Sequence, residues 1–334
     1  MGIRKNKKGF EMSFSMIFSL IAGAVILFLA IYATMRFIDV GKESTYAEAA
    51  KSIDNYLGNL VTGIAEGVST KISFRKETRV MFSCYLPDNA NNPFGKQTIG
   101  FSEESGIRET WYNSTTKITR KNKYIFANNT EQGKKIFIFI KPFYMGFKVD
   151  DLIIMSSSTY CFVRGGTPDP SRIIEDLENL QMENVKVVDN INECGKGNIT
   201  VCFGDGCDIN VYSDSYSSQG YDEYETGYVQ KGSDLFNYAG NLLYGAIFSS
   251  KNIYDCNLAR LGEKTATLSE LYLGKISQVE SKGCDSRIET ELYSLSQGFG
   301  ETTIVDQYQT AKGMDEYNSL ANCKIYPGET YGNI

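Results

Sequence analysis

"TYCFVRGGTPDPSRIIEDLENLQMENVKVVD", residues 159–189, reads as strand, helix, strand. Tyr160–Val163 is aromatic and β-branched, Gly165, Gly166 and Pro168 interrupt it, and Ile173, Ile174, Leu177 and Leu180 then recur three and four apart as a buried helical stripe. Asp169 is placed to cap that helix. Pro170 fits its first position, where a missing N–H costs nothing. Glu175, Asp176 and Glu178 fall on or near the polar face, which reads as solvated rather than as a catalytic pair. Arg164-Gly165-Gly166-Thr167 occupies the strand-to-helix turn, where free backbone N–H groups suit an anion. It lacks both the Gly-x-Gly-x-x-Gly spacing and the Gly-Lys-Ser/Thr ending, so it reads as a structural turn.

Upstream, "TKISFRKETRVMFSCYL", "KYIFANN", "KKIFIFIKPFYMGFKV" and "LIIMSSSTYCFV" are rich in β-branched and aromatic residues and bounded by Asn, Asp, Gly and Pro. They predict strands, several in antiparallel pairs. Downstream, "NITVCFGDGCDINVY" has two β-like halves around Gly204-Asp205-Gly206 and predicts a hairpin; a loop over 203–206 would set Cys202 facing Cys207, whereas a two-residue loop would not align them. Residues 213–232, polar and acidic, read as an exposed loop. Tyr212, Tyr216, Tyr221, Tyr224 and Tyr228 make it a contact-surface candidate, since tyrosine offers large contact area at little rotamer cost. Leu235, Ala239, Leu242, Leu243, Ala246 and Ile247 are expected on one helical face, and the rest of the chain continues as short helices.

The N-terminal part is apolar. No charge stands between Glu11 and Arg36, and Met12–Met35 is long enough as a helix to cross a core of about 30 Å. Arg4, Lys5, Lys7 and Lys8 precede it, which predicts a cytoplasmic N-terminus and an exported remainder. A cleaved signal sequence is the competing reading, but its apolar part spans only about 7–15 residues. Ser15, Ser19 and Gly23 repeat every four residues and mark a helix–helix face, hence a homo-oligomer through the membrane. Beyond it Ala47, Ala50, Ile53, Leu57 and Leu60 keep an amphipathic stripe to about Gly67.

The expected fold class is α+β, divided as a basic foot (1–11), a transmembrane helix (12–37), a helical stalk (38–67), a β-rich domain (68–212), the tyrosine-rich loop (213–232) and a disulfide-tied helical region (233–334). Cys84, Cys161, Cys194, Cys202, Cys207, Cys256, Cys284 and Cys323 all lie beyond the apolar run, which fits disulfides in an oxidising compartment. Five precede residue 210 and three follow it, so complete pairing requires a bridge between the two parts. Asn113, Asn128 and Asn198 head glycosylation triplets.

The chain contains no histidine, which excludes Ser-His-Asp and Cys-His constellations, and no Cys-x-x-Cys pair suggests zinc. No cofactor is expected. The net charge of −6 and the lack of a basic stripe beyond the foot give nucleic acid no electrostatic foothold.

With Lys7, Lys8 and Gly9 at the place of a prepilin-peptidase site, Phe10 as the new first residue and an apolar helix from Met12, the first 67 residues resemble type IV pilin-like and TadE-like proteins. The fifth position after the cut, a glutamate in that family, is Phe14 here. The resemblance implies cleavage after Gly9, a mostly β head, and assembly with other envelope or pilus-like proteins as a minor, tip or adhesin-like subunit. The histidine-free composition with this topology also resembles archaeal surface proteins. The expected function is a non-enzymatic, single-pass surface protein in contact with membrane lipid and protein partners. The alternative is a membrane-tethered, carboxylate-dependent hydrolase of envelope glycans.

Overall fold

The computed structural model describes residues 14–59, 69–87, 92–104, 111–214, 224–283, 285–300 and 302–327. The chain forms two units, Met1–Ala49 and Ala50–Ile334. Helix α1 (Phe14–Asn59) holds an apolar stretch, Phe14–Met35, of mean hydropathy 2.6 with none of it buried. That stretch is long and apolar enough to span a membrane. In the second unit the α1 residue Ile53 is fully buried, while Lys51 and Gly58 on the same helix are exposed.

Six strands, β1 (Ser69–Tyr85), β2 (Lys96–Glu104), β3 (Trp111–Arg120), β4 (Tyr124–Phe126), β5 (Thr130–Met145) and β6 (Phe147–Ser156), form a first sheet in the order β3-β2-β1-β5-β6-β4. All neighbours are antiparallel except β4 and β6. Alternation sorts the two faces of β5. Phe139, Phe143 and Met145 join the main core, while Ile136, Ile138 and Ile140 are buried on the other side. With apolar layers on both faces, the strand reads as a continuous hydrophobic run.

The second sheet contains β7 (Tyr160–Gly166), β8 (Val185–Val188), β9 (Ile199–Phe203), β10 (Ile209–Ser213), β11 (Thr226–Lys231) and β12 (Asp234–Ala239), in the order β12-β11-β10-β9-β7-β8. Helix α2 (Ser171–Asn179) connects β7 to the parallel β8, as the opening stretch predicts. Its start is shifted by one residue: Pro170 is the cap position, and the Asp169 carboxylate accepts from Ser171 N (3.1 Å) and Oγ (2.7 Å).

The predicted hairpin over 198–212 does not form: β9 and β10 are parallel. The five residues between them double back under two local constraints, the Cys202–Cys207 disulfide and the Asp208 carboxylate, which accepts from Thr200 N (2.9 Å) and Oγ1 (2.8 Å). The antiparallel partner of β10 is β11, which lies inside the stretch read as a loop. Likewise Leu235 and Ala239 belong to β12; Gly240, at φ +52°, turns the chain, and helix α3 (Leu242–Phe248) begins only then. Residues 251–280 form one helix, α4, followed by α5 (Glu289–Leu295) and α6 (Ile304–Leu320).

All seven residues of α3 are buried, and it touches β6 of the first sheet and β11 and β12 of the second. Phe139 meets Tyr244 and Phe248 edge-on at 5.8 and 5.4 Å, and Phe248 continues to Tyr160 at 4.4 Å. This aromatic spine joins the sheets, at about 2–3 kcal/mol per buried ring. Helix α4 comes so close to the chain before α6 that a Cβ at Gly262 would lie 2.3 Å from the Phe299 carbonyl oxygen.

Disulfides Cys84–Cys256, Cys161–Cys194 and Cys202–Cys207 are formed, and Cys323 is disulfide-bonded as well. The first ties β1 to α4 across residue 210. Cys284 lies outside the described residues.

Candidate contact surface

Alternation along the second sheet places Val201, Phe203, Val211, Val229 and Phe236 in the core. On the opposite face Asn210, Tyr212, Tyr228, Gln230, Leu235 and Asn237 all retain exposure. At the β7–β8 end this outer face is closed by the turn Ile191–Glu193, where Cys161, Val188 and Cys194 make a small buried cluster.

Tyr212 and Tyr228 are direct cross-strand partners, and their rings stack at 4.7 Å with an interplanar angle of 21°. The Tyr212 hydroxyl donates to Asp205 in the disulfide-closed loop. That hydrogen bond, ahead of burial, pushes the phenol up to about 12, so the ring presents a neutral hydroxyl at ordinary pH. Asn210 Oδ1 accepts from Cys207 N at 3.0 Å, which braces the same loop. A preformed aromatic pair of this kind offers contact area with little entropy left to lose.

The other tyrosines of the predicted loop separate. Tyr224 is buried, 5.1 Å from the Phe203 ring, and its hydroxyl donates to the Pro168 carbonyl at 3.0 Å. It is a core residue, not a contact residue. Tyr216 and Tyr221 lie outside the described residues, as do Gly9 and Phe10. On α1, Ser15 and Ser19 are exposed, the Ser19 hydroxyl returns to the Ser15 carbonyl at 2.9 Å, and among the described residues nothing lies within 4 Å of where a Cβ on Gly23 would stand.

The acids predicted on the polar face of α2 have distinct fates. Glu175 is exposed, and Glu178 pairs with Arg164 at 2.6 Å, while Asp189 lies 3.3 Å from the same guanidinium. Arg164 in the glycine turn is thus already met by carboxylates. Asp176 is drawn inward: its Oδ1 is 2.5 Å from Lys141 Nζ, and its Oδ2 accepts from the Tyr244 hydroxyl. A related arrangement joins α6 to the chain before β11, where Glu225 receives Lys312 Nζ at 2.7 Å and the Tyr308 hydroxyl at 3.3 Å. A lone lysine inside "IFIFIKPFYM" was the available signal for the first cluster.

Lys231, at the end of β11, donates to the Ser249 carbonyl at 2.6 Å and sits 4.7 Å from the centre of the Phe236 ring. Burial lowers its amine to about 7, against the raising pull of Asp234 and Glu131. In the unfolded chain the group keeps its ordinary value, so between pH 7 and 10.5 the unfolded state binds more protons and stability rises with pH. Lys231→Met is expected to remove that rise. Denaturant unfolding of both proteins at pH 7 and pH 10 should show wild type gaining about 2 kcal/mol relative to the variant, and parallel curves would refute it.

A shallow groove between α4 and α5 is lined by Leu273, Gly274, Ser277, Glu289, Thr290 and Tyr293. It presents one carboxylate, whereas glycoside hydrolysis uses two about 5–9.5 Å apart. Of the glycosylation triplets, Asn128 Nδ2 donates to Glu131 at 2.8 Å and Asn198 Nδ2 donates to the Cys194 carbonyl, so both amides are already engaged. The chain matches no family model, no curated protein and no solved structure.

Proposed function

We propose that this chain is a single-pass membrane protein whose disulfide-tied domain acts outside the cytoplasm as a contact module in an envelope or pilus-like assembly. The observation that carries this reading is the pairing of an exposed apolar stretch, Phe14–Met35, with a second unit held by disulfides, Cys84–Cys256 among them. Such bridges persist in oxidising compartments, and the stretch supplies the tether. Arg4, Lys5, Lys7 and Lys8 set the orientation, with the domain outward. The Tyr212–Tyr228 pair and its polar neighbours supply the contact face. Ser15, Ser19 and Gly23 supply a close approach between membrane helices.

Protease added to intact cells tests the orientation, followed with an antibody to the domain and by the mass of the apolar helix left in the membrane. Loss of the domain with survival of a membrane-held N-terminal fragment supports the reading. A protected domain, or a domain released into the medium without its apolar helix, defeats it. Cleavage at Gly9, read from the mass of the mature N-terminus, would favour the pilus-like form.

A further inference from the structure

Lys141 rises from the middle of β5 into the main core, where Phe139 and Phe143 flank it along the strand. Its side chain is 3% exposed, and its ammonium lies 2.5 Å from Asp176 Oδ1 and 5.3 Å from the centre of the Tyr244 ring. The second carboxylate oxygen is held by the Tyr244 hydroxyl, whose phenol is raised well above its ordinary value by burial and then by Asp176 itself. Amine, carboxyl and a neutral hydrogen-bond donor therefore meet across three elements, β5, α2 and α3.

We propose that Lys141 and Asp176 are a modification site, at which the chain condenses with itself to a Lys141–Asp176 side-chain amide. Water normally opposes such a step by keeping amine and acid ionised. Enclosure weakens that opposition, because in a low-dielectric setting the charged pair can pass its proton from nitrogen to oxygen and become neutral amine and neutral acid. The amine lone pair then attacks Asp176 Cγ, while the Tyr244 hydroxyl polarises the carboxyl through Oδ2. The N–Cγ bond forms, the Cγ–Oδ1 bond breaks, and Oδ1 departs as water with the transferred proton and one further proton from nitrogen. No oxidant or co-reactant is needed. Held neighbours gain effective molarities of up to about 10⁵–10⁸ M, which lowers the barrier to attack relative to free groups. The Asp176 side chain is 22% exposed, which leaves the water a way out.

Other ion pairs mark the distinction. Lys312, Lys264 and Lys251 also touch carboxylates, and Lys312 shares Glu225 with the Tyr308 hydroxyl, but their side chains are 30%, 21% and 25% exposed. Their amines stay in contact with water, which the Lys141 amine does not. Among the described lysine–carboxylate pairs, Lys141 is the enclosed one.

Intact mass of the full-length protein, solubilised in detergent, reduced and denatured, decides the matter. The expected chain is lighter by one water than its sequence from the same N-terminus. Proteolysis should yield one branched peptide that joins the segments around Lys141 and Asp176, and Lys141→Arg should restore the missing water. A wild-type chain of full mass, with the two segments recovered separately, overturns the proposal. So does a missing water that maps to any other pair. Because the wild-type peptide map is decisive by itself, a variant that fails to fold does not spoil the test.

Discussion

Arg260→Ala is expected to lower the unfolding free energy by about 4 kcal/mol, a loss of the size seen when a buried charged network is broken. The guanidinium is fully buried and donates to the carbonyls of Phe94 (2.7 Å), Lys121 (2.7 Å) and Lys123 (3.0 Å), and to Asn257 Oδ1 (2.8 Å). It also lies 4.7 Å from the centre of the Tyr124 ring. One side chain on α4 thus satisfies acceptors from two connections of the first sheet, before β2 and before β4. Truncation leaves those carbonyls enclosed without donors, at about 1–3 kcal/mol each before relaxation. Burial lowers the guanidinium to about 10, so it remains protonated in the folded protein at neutral pH. Arg260→Lys is expected to recover less than half of the loss, since an ammonium cannot span three carbonyls in a plane. Denaturant unfolding of the full chain in detergent measures both. A loss below about 1 kcal/mol for the alanine variant would mean that water replaces the guanidinium at little cost.

The strand–helix–strand of residues 159–189 was legible because period and punctuation agree: Gly165, Gly166 and Pro168 stop the strand where Ile173 and Ile174 begin the helical stripe. The strands β1, β4, β5 and β6 were legible for the same reason, as they alternate or run apolar between turn residues, whereas β2 and β3 fall in none of the stretches read as strands. Errors cluster where a local signal was overruled by tertiary pairing. Gly204-Asp205-Gly206 has hairpin chemistry, yet the Asp208 carboxylate on Thr200 and the Cys202–Cys207 bridge fold the loop back and leave β10 to pair with β11. β11 was hidden by its composition, since Thr226, Gly227 and Gln230 have weak strand signatures and become a strand because neighbours bind on both sides. Removing residues 214–230 would therefore take out most of a paired strand together with buried Tyr224, not a dispensable loop.

The same limit applies to the sites. Tyr212 and Tyr228 could be read as surface tyrosines, but not as a stacked pair, because their meeting depends on the β10–β11 register. Asp176 looked solvated because the sequence shows only its neighbours along α2, while Lys141 lies 35 residues away and Tyr244 lies 68. Convergence of that kind belongs to topology. Histidine-free chemistry sharpens it further: with no imidazole, reactive geometry in this chain must come from lysine, carboxyl and phenol groups placed by packing.

Removing the Cys84–Cys256 bridge with alanine at both positions should cost about 5 kcal/mol, against about 2 kcal/mol for the same treatment of Cys202–Cys207. The bonds differ in what they deny the unfolded chain. The first spans 172 residues and the second only 5, and loop-closure entropy grows with the logarithm of that span. The longer bridge also keeps the denatured ensemble compact, so its loss should raise the slope of unfolding free energy against denaturant, whereas loss of the short bridge should leave the slope unchanged. Slope and midpoint together separate this account from a native-contact explanation. Equal losses with equal slopes would place the effect in the folded state, where Cys256 lies one turn before Arg260 on α4. In that case the Arg260 and Cys84–Cys256 changes should prove strongly non-additive in a double-mutant cycle, because both would be acting on the same seam between the first sheet and α4.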